Sequence, residues 1–325
     1  SNSSRIGIKG KEDISDNLAL IYQWENGLDW GGADGGLGND TRNTFVGFTG
    51  DWGTAIAGKH DTPFKKVGRK YELFGDTVGD SRAIIRGRGV TAGLETLTGV
   101  DVPNYAADWD LRPDNVVAYV TPNMGGFSAT LAYVSDWNND VNNDSDAYSI
   151  SAGYELAGFT IDAAYEVHNA GDDITGPIQA DLDAAGADVT ISDDTTAYRI
   201  GAGYTMGGFK VVGLYQNVDN ISHIDGEDLT TWGLGGAYTF GKSTVKAQYY
   251  VADDVADIDD SGADLWAVGY DYKMSKQTKV YAAYGSMQAD AAGSYELTAG
   301  TGHGERADFD GEDSNAFSVG LVHKF

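Results

Sequence analysis

Run after run of this chain is apolar at every second residue. Tyr148, Ile150, Ala152, Tyr154 and Leu156 alternate with Ser149, Ser151, Gly153 and Glu155. Tyr198, Ile200, Ala202, Tyr204 and Met206 alternate with Arg199, Gly201, Gly203 and Thr205, and the pattern returns over 232–240 and 266–272. The last nine residues place Phe317, Val319, Leu321, His323 and Phe325 on one face, with Ser318, Gly320, Val322 and Lys324 on the other. A period of two over so many segments predicts strands and argues against helices. Each run is about nine to eleven residues, the length a tilted strand needs to cross a bilayer. Aromatics gather near the run ends, as the interfacial girdles of a membrane barrel require. The chain therefore reads as all-β: a transmembrane antiparallel β-barrel, apolar toward lipid and polar toward a wet lumen.

The connections alternate in length. Short ones fall near 13–17, 50–51, 122–126, 157–158, 206–208, 241–243 and 273–276. Long ones fall near 26–41, 63–111, 136–146, 168–196, 217–229, 253–262 and 286–314. Tight turns at one end and long loops at the other are the outer-membrane barrel arrangement. About fifteen strands are legible, the first over 5–11. Bacterial single-chain barrels use an even number, so sixteen are expected, with one strand preceding Ser1. No linker or shift of composition divides the chain, and 1–325 reads as one domain. Little helix is expected outside 63–111.

Composition changes the picture in three ways. No stretch approaches the roughly 18 apolar residues of a membrane helix. Mean hydropathy is −0.33, which would suit a soluble protein, but only alternate residues of a barrel strand meet lipid. The absence of Cys fits maturation in an oxidising compartment. The 49 acids against 22 bases leave a formal charge of −27. That excludes nucleic acid as a partner, since no basic patch exists to neutralise phosphates. Seven acids and no base occupy 172–194, and 253–264 is similar. Such runs are solvated loop surface and also form a negative vestibule that concentrates cations, so weak cation preference is expected.

Several motifs resemble those of the Gram-negative general diffusion porins. Arg5-Ile6-Gly7-Ile8-Lys9-Gly10-Lys11-Glu12, Ala19-Leu20-Ile21-Tyr22-Gln23-Trp24-Glu25 and Thr54-Ala55-Ile56-Ala57-Gly58-Lys59 look like early strands of that family. Tyr71-Glu72-Leu73-Phe74-Gly75-Asp76-Thr77 is similar to the acidic motif of its constriction loop. Leu111-Arg112-Pro113-Asp114-Asn115-Val116-Val117-Ala118-Tyr119 looks like the strand that follows, and the terminal Phe325 matches as well. The resemblance implies a sixteen-stranded barrel, usually a homotrimer in lipid and lipopolysaccharide of the outer membrane, passing small hydrophilic solutes. It implies that 63–111 folds into the lumen. It also implies that Arg5, Lys59 and Arg112 form a basic wall facing acids on the loop at Glu72, Asp76 and Asp80. Arg82, Arg86 and Arg88 depart from the family motif and leave the sign of the eyelet open. Phe325 would be the signal read by the barrel-insertion machinery. Alternation supports part of this. Arg5, Lys9 and Lys11 lie opposite Ile6 and Ile8, which want lipid, and Lys59 lies opposite Ile56 and Gly58.

Other chemistry is thin. Asp257, Asp259 and Ser261 match the first half of an EF-hand-like loop, whose hard oxygens suit Ca²⁺. The twelfth position is Val268 where a bidentate Glu belongs, so a plain acidic loop is the stronger reading. No cofactor is otherwise expected. The five histidines are scattered, and no nucleophile elbow, His-Glu-x-x-His or Cys nucleophile occurs, which argues against an enzyme. Two rivals stand beside the diffusion pore. One is a substrate-specific channel, for oligosaccharides for instance, with Trp109 and Tyr105 as stacking residues. The other is a soluble Ca²⁺-binding adhesin, which would purify without detergent.

Overall fold

The structure is a computed structural model and describes residues 3–28, 37–90, 108–136, 145–186, 189–256, 258–297 and 311–325. Its strands are β1 (Arg5–Ser15), β2 (Leu18–Leu28), β3 (Leu37–Thr41), β4 (Thr44–Gly50), β5 (Gly53–Lys59), β6 (Val116–Val120), β7 (Phe127–Val134) and β8 (Asp146–Leu156). They continue as β9 (Phe159–Asn169), β10 (Asp194–Met206), β11 (Phe209–Asp219), β12 (Leu229–Phe240), β13 (Ser243–Ala252), β14 (Ala263–Lys273), β15 (Thr278–Ala289) and β16 (Ser314–His323). All belong to one antiparallel sheet. Fifteen pair in chain order, while the short β3 pairs only with β2, beyond β4 along the same edge. Among the described residues no ladder joins β1 to β16.

The alternation is real, and its apolar half faces out. Tyr148, Ile150, Tyr198, Ile200, Leu234 and Val268 are all exposed, Val319 is 70 % exposed and Phe325 92 %. The opposite face carries buried Ser149, Glu166, Arg199, Gln216, Thr231 and Gln248. A sheet with its apolar face outward and its charges enclosed is the inverse of a soluble core, and it suits a lipid surround. The short turns fall where alternation placed them. Ala157–Gly158, Gly207–Gly208 and Gly241–Lys242 join their strands in two residues, with positive φ at Ala157, Gly207 and Gly241.

Two expectations fail. The acidic run after β9 contains a fourteen-residue helix, Asp172–Ala185. Ile174, Ile178 and Leu182 recur every four residues there, and Leu182 is fully buried. Gly186, at φ 74°, ends the helix by returning its N–H to Leu182 and Asp183. Charge density had hidden that spacing. On β5, Ile56 does not face lipid. It is buried with Val116, Ala118, Ala132, Val134 and Ala147 on the enclosed face, while Ala57 pairs with the exposed Val46 and Val117. An aliphatic residue near loop-covered wall is as content inside as outside.

Candidate pore constriction

The segment after β5 does not stay outside. Thr62 caps α1 (Pro63–Lys70), its hydroxyl accepting from the Lys65 N–H at 3.2 Å, and Pro63 takes the first helical position. Phe64, Val67 and Tyr71 recur at helical spacing and are buried. They press against the inner face of β8, β9 and β10. The chain then forms a knuckle over 72–81 and enters α2 (Arg82–Ile85). Phe74 and Val78 pack on Ala267 and Ala283 of β14 and β15. The approach is close enough to demand glycine: a Cβ on Gly285 would meet the Val78 carbonyl at 2.7 Å, and one on Gly79 would meet Ala267 Cβ at 2.5 Å.

A backbone of short helices and irregular turns buried against a wall needs donors for carbonyls that its own hydrogen bonds leave open. The wall supplies them from strand to strand. Arg199 Nη1 donates to Phe64 O at 3.0 Å, Gln216 Nε2 to Ile85 O at 3.0 Å, Lys246 Nζ to Leu73 O at 2.9 Å and Gln248 Nε2 to Gly79 O at 2.7 Å. Tyr71 donates to Asp162 at 2.5 Å, and Lys70 pairs with the same carboxylate at 2.7 Å. The guanidinium of Arg199 also lies 4.0 Å from the centre of the Phe64 ring.

The expected loop charges serve the loop itself. Glu72 accepts from the Phe74 N–H, from the Ser81 N–H at 2.8 Å and from the Ser81 hydroxyl, and burial together with the Asp80 charge raises its pKa. Asp80 is wholly buried. Arg82 grips it through Nε at 3.1 Å and Nη2 at 2.7 Å, and Arg69 adds 3.1 Å. Burial opposes ionisation, but Arg82 and Arg69 outweigh it and hold the Asp80 pKa down at about 2. Asp76, partly exposed, meets Arg82 at 2.9 Å and Arg69 at 3.4 Å. Arg86 and Arg88 both bind Asp108, at 2.9 Å through Arg86 Nε and 2.8 Å through Arg88 Nη2. Arg82 and Arg86 are thus buried braces rather than pore charges. Sequence order could not show that Asp108, twenty residues on, would claim the arginines.

The wall residues divide. Arg5 keeps its expected face: Ile6 and Ile8 are exposed outward, and Gly7, on the Arg5 face, pairs with Glu25, whose carboxylate binds Arg42 at 2.6 Å. Arg112 does not open a strand. It lies in the return leg ahead of β6 and its Nε donates to Asp61 at 2.9 Å. Lys59 loses its premise with Ile56. Its register partner is Thr44, and its ammonium pairs with Asp114 at 3.1 Å. Trp109 is fully buried and stacks on His168 at 4.3 Å, so it offers no face to a sugar. Tyr105 and Asp257 lie outside the described residues. Ser261 closes a tight turn, accepting from the Val255 N–H at 2.8 Å and donating to Ile258 O at 2.8 Å.

Known proteins bear on this arrangement. The Gram-negative porin family profile matches residues 1–292. The chain belongs to that family. Porins of this family are outer-membrane channels, and fold and family together point away from an enzyme. The chain is 28 % identical over 156 residues to the major outer membrane protein P.IB of Neisseria gonorrhoeae, covering 48 % of this chain and 38 % of that protein. It is 27 % identical over 175 residues to the chitoporin of Vibrio furnissii, covering 51 % and 42 %. The chain thus spans less than half the length of these curated relatives. Among solved structures, an anion-selective porin from Comamonas acidovorans superposes with a TM-score of 0.77 at 25 % identity, covering 99 % of this chain and 90 % of that one. The trimer form of OmpT of Vibrio cholerae shares the fold, with a TM-score of 0.66, 20 % identity and coverage of 99 % and 91 %.

This porin carries cations on the inward-folded segment that alternation did not single out. On α1, Lys66, Arg69 and Lys70 lie on the side away from Phe64 and Val67. Lys66 and Lys70 are exposed and Arg69 is partly so. No described carboxylate lies within ion-pair distance of Lys66, whereas Lys65 is buried between Asp61 at 3.2 Å and Asp110 at 3.1 Å. The signal was present in Pro-Phe-Lys-Lys-Val-Gly-Arg-Lys, an amphipathic helical spacing inside what looked like loop.

Proposed function

We propose that the chain forms a passive diffusion channel for small hydrophilic solutes and ions, assembled as a homotrimer, with an eyelet whose exposed charge is basic. One observation carries the sign. The constriction loop leaves Lys66 and Lys70 exposed, Lys70 against Asp162, while Glu72, Asp80 and Asp108 are spent on hydrogen bonds and on Arg69, Arg82, Arg86 and Arg88 inside it. Arg5 and Lys9 add two exposed cations on the inner face of β1. The porin from Comamonas acidovorans that shares this fold is anion-selective, which agrees with this sign. Trimeric assembly rests on that family's habit and on the trimer form of a neighbour with the same fold.

A second reading, weak cation preference, draws on the charge of −27 carried largely by the outer loops. Distance separates the two. Loop charges act on the pore from afar and are screened once the Debye length falls to about 3 Å at 1 M salt, whereas groups beside the ion path persist longer. Reversal potentials in salt gradients, from low to high ionic strength, decide it. An eyelet governed by α1 gives anion preference that survives added salt. Cation preference at every salt concentration would overturn the basic eyelet and leave the diffusion channel standing.

A further inference from the structure

We propose that Asp162, on the inner face of β9, is a selectivity-determining residue of the channel: its carboxylate damps Lys70 on α1 and so limits how tightly small anions are held at the eyelet. This rests on the basic eyelet and adds the group that moderates it. The sheet makes room for Asp162 on both sides. Its register partners are glycines, Gly153 on β8 and Gly201 on β10. A Cβ on Gly153 would fall on the Asp162 carboxylate, and one on Gly201 would fall on the Tyr71 ring. The two glycines open a seat in the wall, shared by the carboxylate and the end of α1.

Within that seat one oxygen has two partners. Asp162 Oδ2 accepts from the Tyr71 hydroxyl at 2.5 Å and meets Lys70 Nζ at 2.7 Å. The bond from Tyr71 requires an acceptor and no charge, since an amide oxygen in the same place would serve. The helix does not call for an anion here either. Cations suit the carbonyl end of a helix and carboxylates oppose it, and Arg69 and Lys70 already occupy the last turn. What the negative charge acts on is Lys70. That side chain is 39 % exposed against 14 % for Asp162, so the ammonium stands nearer the water and the carboxylate behind it. Lys66, one turn earlier and also exposed, forms no ion pair among the described residues. Two cations one turn apart on α1 therefore differ: one acts at full strength and the other is damped. A pore must attract its ion enough to admit it and weakly enough to release it. A carboxylate behind one cation weakens the hold on an anion and keeps the sign of the eyelet.

The test is reversal potential in a low-salt gradient, together with single-channel conductance against salt concentration, on the full chain folded in detergent and inserted in planar bilayers. Heat-modifiable mobility checks folding. A carboxylate about 9 Å from the ion path changes each ion's partition about twofold and the anion-to-cation ratio about fivefold. Asp162→Asn keeps an oxygen for Tyr71 and removes the charge. It should shift the ratio about fivefold toward anions, and its conductance should saturate at lower salt than that of the wild type. Asp162→Glu, which restores the charge, should bring the ratio back toward wild type. If Asp162→Asn does not fold, Asp162→Ser reads the same loss of charge. An unchanged reversal potential in the neutral variants would overturn the role of Asp162. So would an equal shift in Tyr71→Phe, which breaks the hydroxyl bond and keeps both charges. The shift is read against the wild type and is separate from the sign of wild-type preference. A cation-selective wild type whose ratio still moves toward anions in Asp162→Asn would overturn the basic eyelet and keep the carboxylate's role.

Discussion

Arg199 shows at the scale of one residue how the inner wall works. It is fully buried, and no described carboxylate pairs with it. Its donors go to Gln216 Oε1 at 2.9 Å and to the Phe64 carbonyl, with Trp109 O at 3.5 Å beyond. A guanidinium is suited to this because its fork serves several acceptors at once. Arg199→Met keeps much of the bulk but leaves those carbonyls without a donor, a cost of about 1–3 kcal/mol per buried orphan. The variant should form channels with larger and noisier current in planar bilayers. Quiet, wild-type conductance would show that packing alone holds the loop. His223 is the residue-scale case for pH. It is buried beside Ser192 O, at 3.3 Å from Nδ1, and burial first, then the neighbouring His168, lower its pKa to about 4. The unfolded chain titrates near 6.5, so it binds the proton more readily than the folded protein. Stability from this site is complete above about pH 6.5 and falls as pH drops toward 4, by roughly 3 kcal/mol at most. Hydrogen exchange at 190–192 and 221–224 should quicken across that window, and His223→Gln should flatten the response.

At the scale of the element, α1 is the part of the loop that we propose meets solutes. Residues 63–71 place Phe64, Val67 and Tyr71 on the wall and leave Lys66 and Lys70 toward water, and Thr62 and Pro63 fix where the helix starts. One charge about 6 Å from an ion path in water is worth roughly 0.7 kcal/mol, so reversing it is worth about tenfold for each ion and about a hundredfold in the anion-to-cation ratio. Lys66→Glu should therefore shift the anion-to-cation permeability ratio about a hundredfold toward cations at low salt, with Lys70→Glu smaller because Asp162 already holds Lys70 at 2.7 Å. Reversal potentials check both. Glu72→Gln at the buried knuckle should leave the ratio nearly unchanged and instead affect loop stability. If Glu72→Gln moved selectivity more than Lys66→Glu, the loop acids and not α1 would set the eyelet.

At the scale of the whole molecule, the outer-membrane setting explains why an apolar exterior and a charged interior coexist in one sheet. The final strand ends its outward row on Phe325, after Phe317, Val319 and Leu321, all more than 60 % exposed. That ring touches little that conduction needs, and we propose that it serves assembly. Deleting Phe325 should reduce the folded, heat-modifiable fraction in the outer membrane several-fold, while the channels that do form keep wild-type conductance. Full yields after deletion, or altered conductance in the survivors, would remove that role.

Alternation along single strands decided the fold, because a strand's side chains must point to opposite faces whatever lies beyond them. Tyr148 to Leu156, Trp266 to Tyr272 and the Phe317 row are exposed as that argument required, and the tight turns followed from it. It faltered where one residue type suits either side, as at Ile56, and where helical spacing lay inside acidic or basic runs, as in Asp172–Ala185 and Pro63–Lys70. The constriction was less legible. Which acid neutralises which arginine depends on contacts across twenty residues and more: Arg86 with Asp108, Arg112 with Asp61, Lys65 with Asp110. Arg199, one residue from the lipid-facing Tyr198 and Ile200, could be placed inside by parity but not given its task. Sequence alone fixes the sign of each charge and the face it shares. Only the folded loop, laid against the strands of the wall, decides which charges are cancelled by neighbours and which are left facing the water that solutes cross.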